Sequence, residues 1–105
     1  MSVYVTMQVQ VDPAEFEKRA AEYSDVIDRI MAMARSKGII AHRWFRGDGM
    51  IMAVDEWPDA ESFSSFLHLA GHEIGPFMNM CGVTAAPEIK VWDKVAIHDA
   101  HGWGE

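Results

Sequence analysis

From Val3 to Val11 apolar and polar residues alternate without a break, with Val3, Val5, Met7, Val9 and Val11 on one face and Tyr4, Thr6, Gln8 and Gln10 on the other. Successive side chains of a strand point to opposite sides, so a period of two over this length makes a strand with one apolar face. The period then changes. Asp12-Pro13-Ala14-Glu15 reads as a helix start, with Asp12 as N-cap, Pro13 at the first helical position and Glu15 placed to close a capping box. Phe16, Ala20, Tyr23, Ile27, Ile30 and Ala34 recur at spacings of three and four, and Gly38 supplies the left-handed residue that ends the segment. Glu17, Lys18, Asp25 and Asp28 fall between them as a solvated face.

Residues 39–46 and 50–57 are two short runs rich in apolar and aromatic side chains, separated by Gly47-Asp48-Gly49. That spacer is hairpin chemistry, and the two runs are expected to pair antiparallel. Asp59 is the N-cap of a second helix through about residue 70, with Phe63, Phe66, Leu67 and Ala70 as its apolar stripe. Gly71 and Gly75-Pro76 are expected to break it, leaving residues 77–87 as a Met-rich loop with one helical turn at most. Residues 88–98 alternate again, with Ile89, Val91, Val95 and Ile97 on one face and Trp92 on the other. They read as the last strand, and 99–105 as a tail that is either frayed or held by a neighbouring subunit.

The order β-α-β-β-α-β specifies an α+β, ferredoxin-like fold over residues 1–98: a four-stranded antiparallel sheet with both helices on one face. The other face, bearing Tyr4, Thr6, Gln8, Gln10, Lys90 and Trp92, then needs a cover. A second copy of the sheet would bury its aromatics, so a homodimer is expected.

Composition excludes more than it selects. At 105 residues the chain is long enough to bury a core without staples, and half of it is hydrophobic. A net charge of −7 and no Lys/Arg cluster argue against a nucleic-acid groove, whose affinity rests on neutralising phosphates. No apolar run approaches the ~20 residues of a membrane span, and no charged start precedes an apolar segment, so the cytoplasm is the expected compartment. Cys81 is the one cysteine, without an evident basic neighbour to lower its pKa, and reads as a small packing residue. Phosphate-cradling glycine loops, dinucleotide fingerprints and nucleophile elbows are absent from the sequence.

Three stretches carry a resemblance. Gly38 followed by Ile40, His42 and Trp44 at alternate positions, then Asp55-Glu56-Trp57, then Asp59-Ala60-Glu61-Ser62-Phe63, resemble the antibiotic biosynthesis monooxygenase-like members of the dimeric α/β-barrel superfamily. The resemblance runs from the first strand through residue 98. It implies two sheets pairing into a dimeric barrel, and in each subunit a cavity between sheet and helices that binds a small apolar or aromatic molecule. Met7, Trp44, Trp57, Phe63, Phe66, Phe77, Met78 and Met80 have the character of such a wall, although each taken singly is more often ordinary core.

His42 shares its strand face with Ile40 and Trp44, which the resemblance turns toward the helices. Imidazoles titrate near neutral pH, so this one could take a proton from a phenolic substrate whose carbanion then reduces dioxygen without a cofactor. Its alternative is a histidine satisfied by a backbone carbonyl or by Asp55 across the hairpin. Asp55 and Glu56 are adjacent on a strand, point to opposite faces and cannot act as a carboxylate pair.

His68 and His72 are four apart, with Glu73 adjacent, a spacing that can serve a metal. The helical wheel turns both toward solvent unless Gly71 ends the helix and lets His72 reach the cavity mouth as a second base. No third ligand is assigned, so no metal is expected there or at His98-Asp99-Ala100-His101. Haem-degrading relatives resemble one another in an Asn on the first strand, a Trp on the second helix and a His after it. Here those positions hold Met7 or Gln8, Phe66 and His72. Monooxygenase relatives often carry a His where Phe66 stands. Three classes follow: a cofactor-independent monooxygenase of aromatic or polyphenolic substrates, a non-catalytic ligand carrier or sensor, and an interaction module whose cavity its own side chains fill.

Overall fold

The computed structural model describes residues 1–102. Its elements are β1 (Val3–Gln10), α1 (Pro13–Ala20), a turn of 3-10 helix (Ala21–Tyr23), α2 (Ser24–Ser36), β2 (Ala41–Arg46), β3 (Met50–Trp57), α3 (Ala60–Met80) and β4 (Glu88–Trp92). The strands form one antiparallel sheet in the order β2-β3-β1-β4, and the helices cover one of its faces. This is the expected ferredoxin-like arrangement. Val3, Val5, Val9, Ile51, Ala53 and Trp57 are buried beneath the helices, as the alternation of β1 requires. The hairpin turns through three residues, with Gly47 N–H donating to the Met50 carbonyl.

The opposite face of the sheet is open. Phe45 is 44% exposed and Trp92 49%, with Gln8, Met52, Thr6 and Val54 between them. The Trp92 indole donates to Thr6 Oγ1 at 2.9 Å, and Lys90 lies over its ring. Among the described residues no helix is long and apolar enough to cross a membrane.

The first helical arm is broken where an unbroken helix was expected. Tyr23 leaves helical dihedrals at φ −121°, ψ 37°. No glycine or proline marks the joint; the packing of its two halves sets it. Phe16 of α1 lies 5.4 Å from Trp44 and 6.4 Å from Phe77, while Ile30 and Ala34 of α2 reach the cluster around Trp57. The expected capping box also fails. Asp12 caps α1 by accepting from the Ala14 N–H, but Glu15 turns away to Arg19 at 2.9 Å. The end of α2 is as expected: Gly38 at φ 91° lets its own N–H and that of Ile39 reach the Arg35 and Ala34 carbonyls, a Schellman closure.

The largest departure is α3, which runs through Gly71, Gly75 and Pro76 instead of stopping near residue 70. A mid-helix proline costs about 3 kcal/mol and each glycine about 1. Against these stand Phe77 and Met78, both buried, and Ile74, half-buried; full burial of such a side chain stabilises by about 1.5–3 kcal/mol. The stripe Phe63, Phe66, Ala70, Ile74, Phe77 continues at helical spacing past the breakers, and the two effects are of similar size. Pro76→Ala is therefore expected to stabilise the protein by about 1–3 kcal/mol, read as a higher urea midpoint at unchanged slope.

Asp59 caps α3 by accepting from the Ser62 N–H at 2.7 Å. That bond holds its carboxyl below the usual carboxylate range. The cap's charge contribution is thus complete above the ordinary carboxyl pKa and is lost as pH falls through the depressed one. Asp59→Asn keeps an acceptor without the charge, so its urea midpoint should fall less steeply on acidification than the parent's, whereas Asp59→Ala should be less stable at neutral pH as well.

The last strand stops at Trp92, short of the expected residue 98. Its register on β1 limits it: Trp92 faces Tyr4, so residue 93 would face Val3, where β1 begins, and residues beyond 93 run past the start of that strand. Val95 and Ile97 are consequently exposed. Of the tail at 99–105, residues 103–105 lie outside the described residues.

Candidate functional site

Two adjacent rungs of the sheet make the floor of a cavity of about 340 Å³. One rung is His42, Asp55 and Val5; the other is Trp44, Ala53, Met7 and Ile89, running from the β2 edge to the β4 edge. The roof comes from Phe16 and Ala20 of α1, Ile27, Ile30, Met31 and Ala34 of α2, and Phe63, Phe66, Leu67, Ile74, Phe77 and Met78 of α3. Ile39, after α2, completes the lining. The volume is at the lower end of the range for small-molecule sites. Space exists here because Ala20, Ala34 and Ala53 stand where larger side chains would meet. Thioethers of Met7, Met31 and Met78 give the wall some adaptability.

Within this apolar lining sits one ionisable pair. Asp55 Oδ1 lies 2.6 Å from His42 Nδ1 across the hairpin, the two residues being direct neighbours in the β2–β3 register. An ionised carboxylate only accepts, so the proton of this bond belongs to Nδ1. In the neutral imidazole Nε2 is then the basic nitrogen. The second carboxylate oxygen is also engaged: the Trp57 indole N–H donates to Asp55 Oδ2 at 3.2 Å. Trp57 is 0% exposed and packs against Phe63 and Phe66 with ring centroids 5.8 and 5.2 Å away. Asp55 is thereby held between a fixed indole and the imidazole. Trp44 stands edge-on to His42 at 5.9 Å and completes the aromatic surround.

Of the residues singled out from sequence, Met7, His42, Trp44, Asp55, Phe63, Phe66, Phe77 and Met78 lie together around the cavity. Trp57 lies behind it, supporting the lining residues Asp55, Phe63 and Phe66. Met80 is 38% exposed and outside the lining. His72 does not reach the cavity: α3 continues through Gly71, and both His68 and His72 stay on its exposed side. No cluster of three metal-ligating side chains forms among the described residues. Glu56 points to the opposite sheet face from Asp55, where the Ser2 hydroxyl donates to it at 2.6 Å. Cys81 is fully buried beside Phe77 and Val83, and burial pushes its thiol pKa up, the reverse of what a nucleophile needs.

No protein-family model matches this sequence, and no curated protein does. Solved structures do match. A variant of SnoaB, a cofactor-independent oxygenase from Streptomyces nogalater, superposes with a TM-score of 0.64 at 19% identity, over 94% of this chain and 98% of that one. An antibiotic biosynthesis monooxygenase gives 0.62 at 15% identity, over 89% and 98%. A dimeric ferredoxin-like protein from an uncultured marine organism gives 0.68 at 12%, over 95% and 93%. The chain has the ferredoxin-like fold of these proteins. At such identities the likeness is one of fold, and function rests on the site itself.

Proposed function

We propose that the protein is a homodimeric, cofactor-independent monooxygenase that acts on a small aromatic molecule carrying an acidic hydroxyl, with His42 as base and Asp55 orienting it. The observation that carries this reading is the hydrogen-bonded His42–Asp55 pair in a cavity otherwise walled by apolar side chains. The site has what a proton abstraction needs: an imidazole whose Nδ1 proton is fixed by a carboxylate, leaving Nε2 to accept. His42 takes a proton from the substrate, and the resulting electron-rich anion passes an electron to dioxygen. Recombination forms a carbon–oxygen bond as a peroxide, His42 returns the proton, and loss of water leaves a carbonyl. The balance is one substrate CH2 group and one O2 giving one C=O group and one water. The substrate supplies the electrons, so no cofactor is required.

The fold likeness to SnoaB, described as cofactor-independent, supports the same reading. Homodimerisation is supported by the exposed aromatics Phe45 and Trp92 on the uncovered sheet face and by the dimeric description of one structural neighbour.

The test is oxygen consumption by the purified protein with a panel of anthrone-type substrates, which carry the CH2 group and enolise to a phenolic hydroxyl, together with native mass spectrometry. Expected are a dimer and a product one oxygen heavier and two hydrogens lighter, formed with one O2 consumed. Saturable binding without oxygen uptake across the panel would select a ligand carrier of the same fold.

A further inference from the structure

We infer that this cavity is specific for a ligand with one polar end, a neutral hydroxyl donor on an otherwise apolar flat body, and that it rejects both carboxylates and molecules hydroxylated at the far end. The inference rests on the proposed role of His42 as proton acceptor and adds the class of molecule that role admits.

The argument begins with where the polar atoms are. Among the described residues that line the cavity, only His42 and Asp55 have ionisable side chains, and the Trp44 indole N–H is the one other polar side-chain group. Both Asp55 oxygens are already engaged, one by His42 and one by Trp57. What is left for a ligand is His42 Nε2, an acceptor in the neutral ring, with the Trp44 indole N–H on the same edge strand, so the matching group is a hydroxyl, which donates to the first and can accept from the second. Backbone groups of the floor offer nothing further: β1 and β3 spend theirs on the ladders, and those on the outer edge of β2 lie in the plane of the sheet, pointing away from the cavity above it.

Position makes this a one-ended site. His42 is on the edge strand β2, and the floor continues across β3 and β1 to Ile89 on the other edge strand, β4. Three strand spacings of about 4.8 Å make that path roughly 14 Å. Beyond β2 and Asp55 that path is apolar, with Ala53, Val5, Met7 and Ile89 on the floor. A second hydroxyl at the far end of a rigid ligand would give up its water without gaining a partner. The loss expected for one such buried group is roughly ten- to hundredfold in affinity.

Charge excludes carboxylates. Among the described residues no Lys or Arg lines the cavity, and a ligand headgroup at His42 is beside the Asp55 carboxylate. A ligand carboxylate would meet a like charge and lose its hydration in an apolar enclosure, both unfavourable.

The test uses four probes of one shape: para-phenylphenol, biphenyl, para,para′-biphenol and para-phenylbenzoate. Binding is followed anaerobically at neutral pH by quenching of tryptophan fluorescence, with calorimetry as a check, so that no turnover intervenes. Expected is tightest binding by para-phenylphenol, about tenfold or more weaker binding by both biphenyl and biphenol, and no saturable binding of the benzoate. His42→Phe should remove the preference of para-phenylphenol over biphenyl while biphenyl still binds, which also shows that the variant retains its cavity. Biphenol binding as tightly as para-phenylphenol, benzoate binding at comparable affinity, or no binding of any probe would overturn the inference. Failure of the oxygenase reading is separately visible: the expected order of affinities would persist while no substrate consumed oxygen.

Discussion

Trp57→Ala is expected to remove roughly 3–5 kcal/mol of stability, the range for truncating a buried large aromatic. The side chain is 0% exposed and wedged between β3 and the first turns of α3, with Phe63 and Phe66 on its rings and Val3, Val5 and Ala34 in the same cluster. Domains of this size usually have about 5–15 kcal/mol in total, so the variant should sit near the edge of folding. Part of the loss is polar, because the indole N–H is the donor to Asp55 Oδ2. Trp57→Phe separates the two parts. It keeps an aromatic ring in the cluster and deletes the donor, and should cost about 1–3 kcal/mol for the acceptor left without a partner. Urea denaturation of both variants reads the difference, and a loss below about 1 kcal/mol for Trp57→Ala would contradict the packing argument.

The same tryptophan marks the boundary of what could be read from the sequence. Element order was legible, because the strict alternation of Val3 to Val9, the glycine-bounded hairpin and the closure at Gly38 are local signals that tertiary structure did not override. Three other features were set by distant partners. Helix α3 passes its own breakers because Phe77 and Met78 find a buried place; β4 ends close to Trp92 because its register carries it past the start of β1 at Val3; the joint at Tyr23 follows where Phe16 and Ala34 pack. None of these is a property of the segment in which it appears.

The site divided similarly. His42 and Asp55 could be placed opposite each other from the hairpin register, and the aromatic and methionine wall from residue character. The roof residues Ile27, Ile30 and Ala34 read as plain core, since a helical stripe facing a sheet looks the same whether or not a cavity lies between them, and Met31 was not singled out. The small residues Ala20, Ala34 and Ala53 were the available sign of empty space, and it is a weak one. Trp57 was grouped with the wall although it acts through Asp55. Its spacing of two from Asp55 on one strand face was the signal that linked them.

Asp55→Asn is expected to lower kcat by about 10²–10⁴-fold while leaving the fold intact, and the reason lies in which group can donate to which. Asparagine replaces two accepting oxygens with one carbonyl and one amide NH2. The Trp57 N–H can only donate, so the single carbonyl is drawn to the position of Asp55 Oδ2, and the NH2 is left facing His42 Nδ1. A donor there requires Nδ1 to be unprotonated. The imidazole proton therefore moves to Nε2, which becomes a donor where a base is needed. His42→Phe sets the floor of the comparison by removing the base and should abolish oxygen uptake. The decisive variant is the pair Asp55→Asn with Trp57→Phe. Without the indole donor the asparagine carbonyl can turn to His42, restore the Nδ1–H form and recover part of the lost kcat, even though the double variant is less stable than either parent. Imidazole nitrogen NMR should show the tautomer change in Asp55→Asn and its reversal in the pair; an unchanged tautomer in Asp55→Asn would remove Asp55 from the orientation of His42.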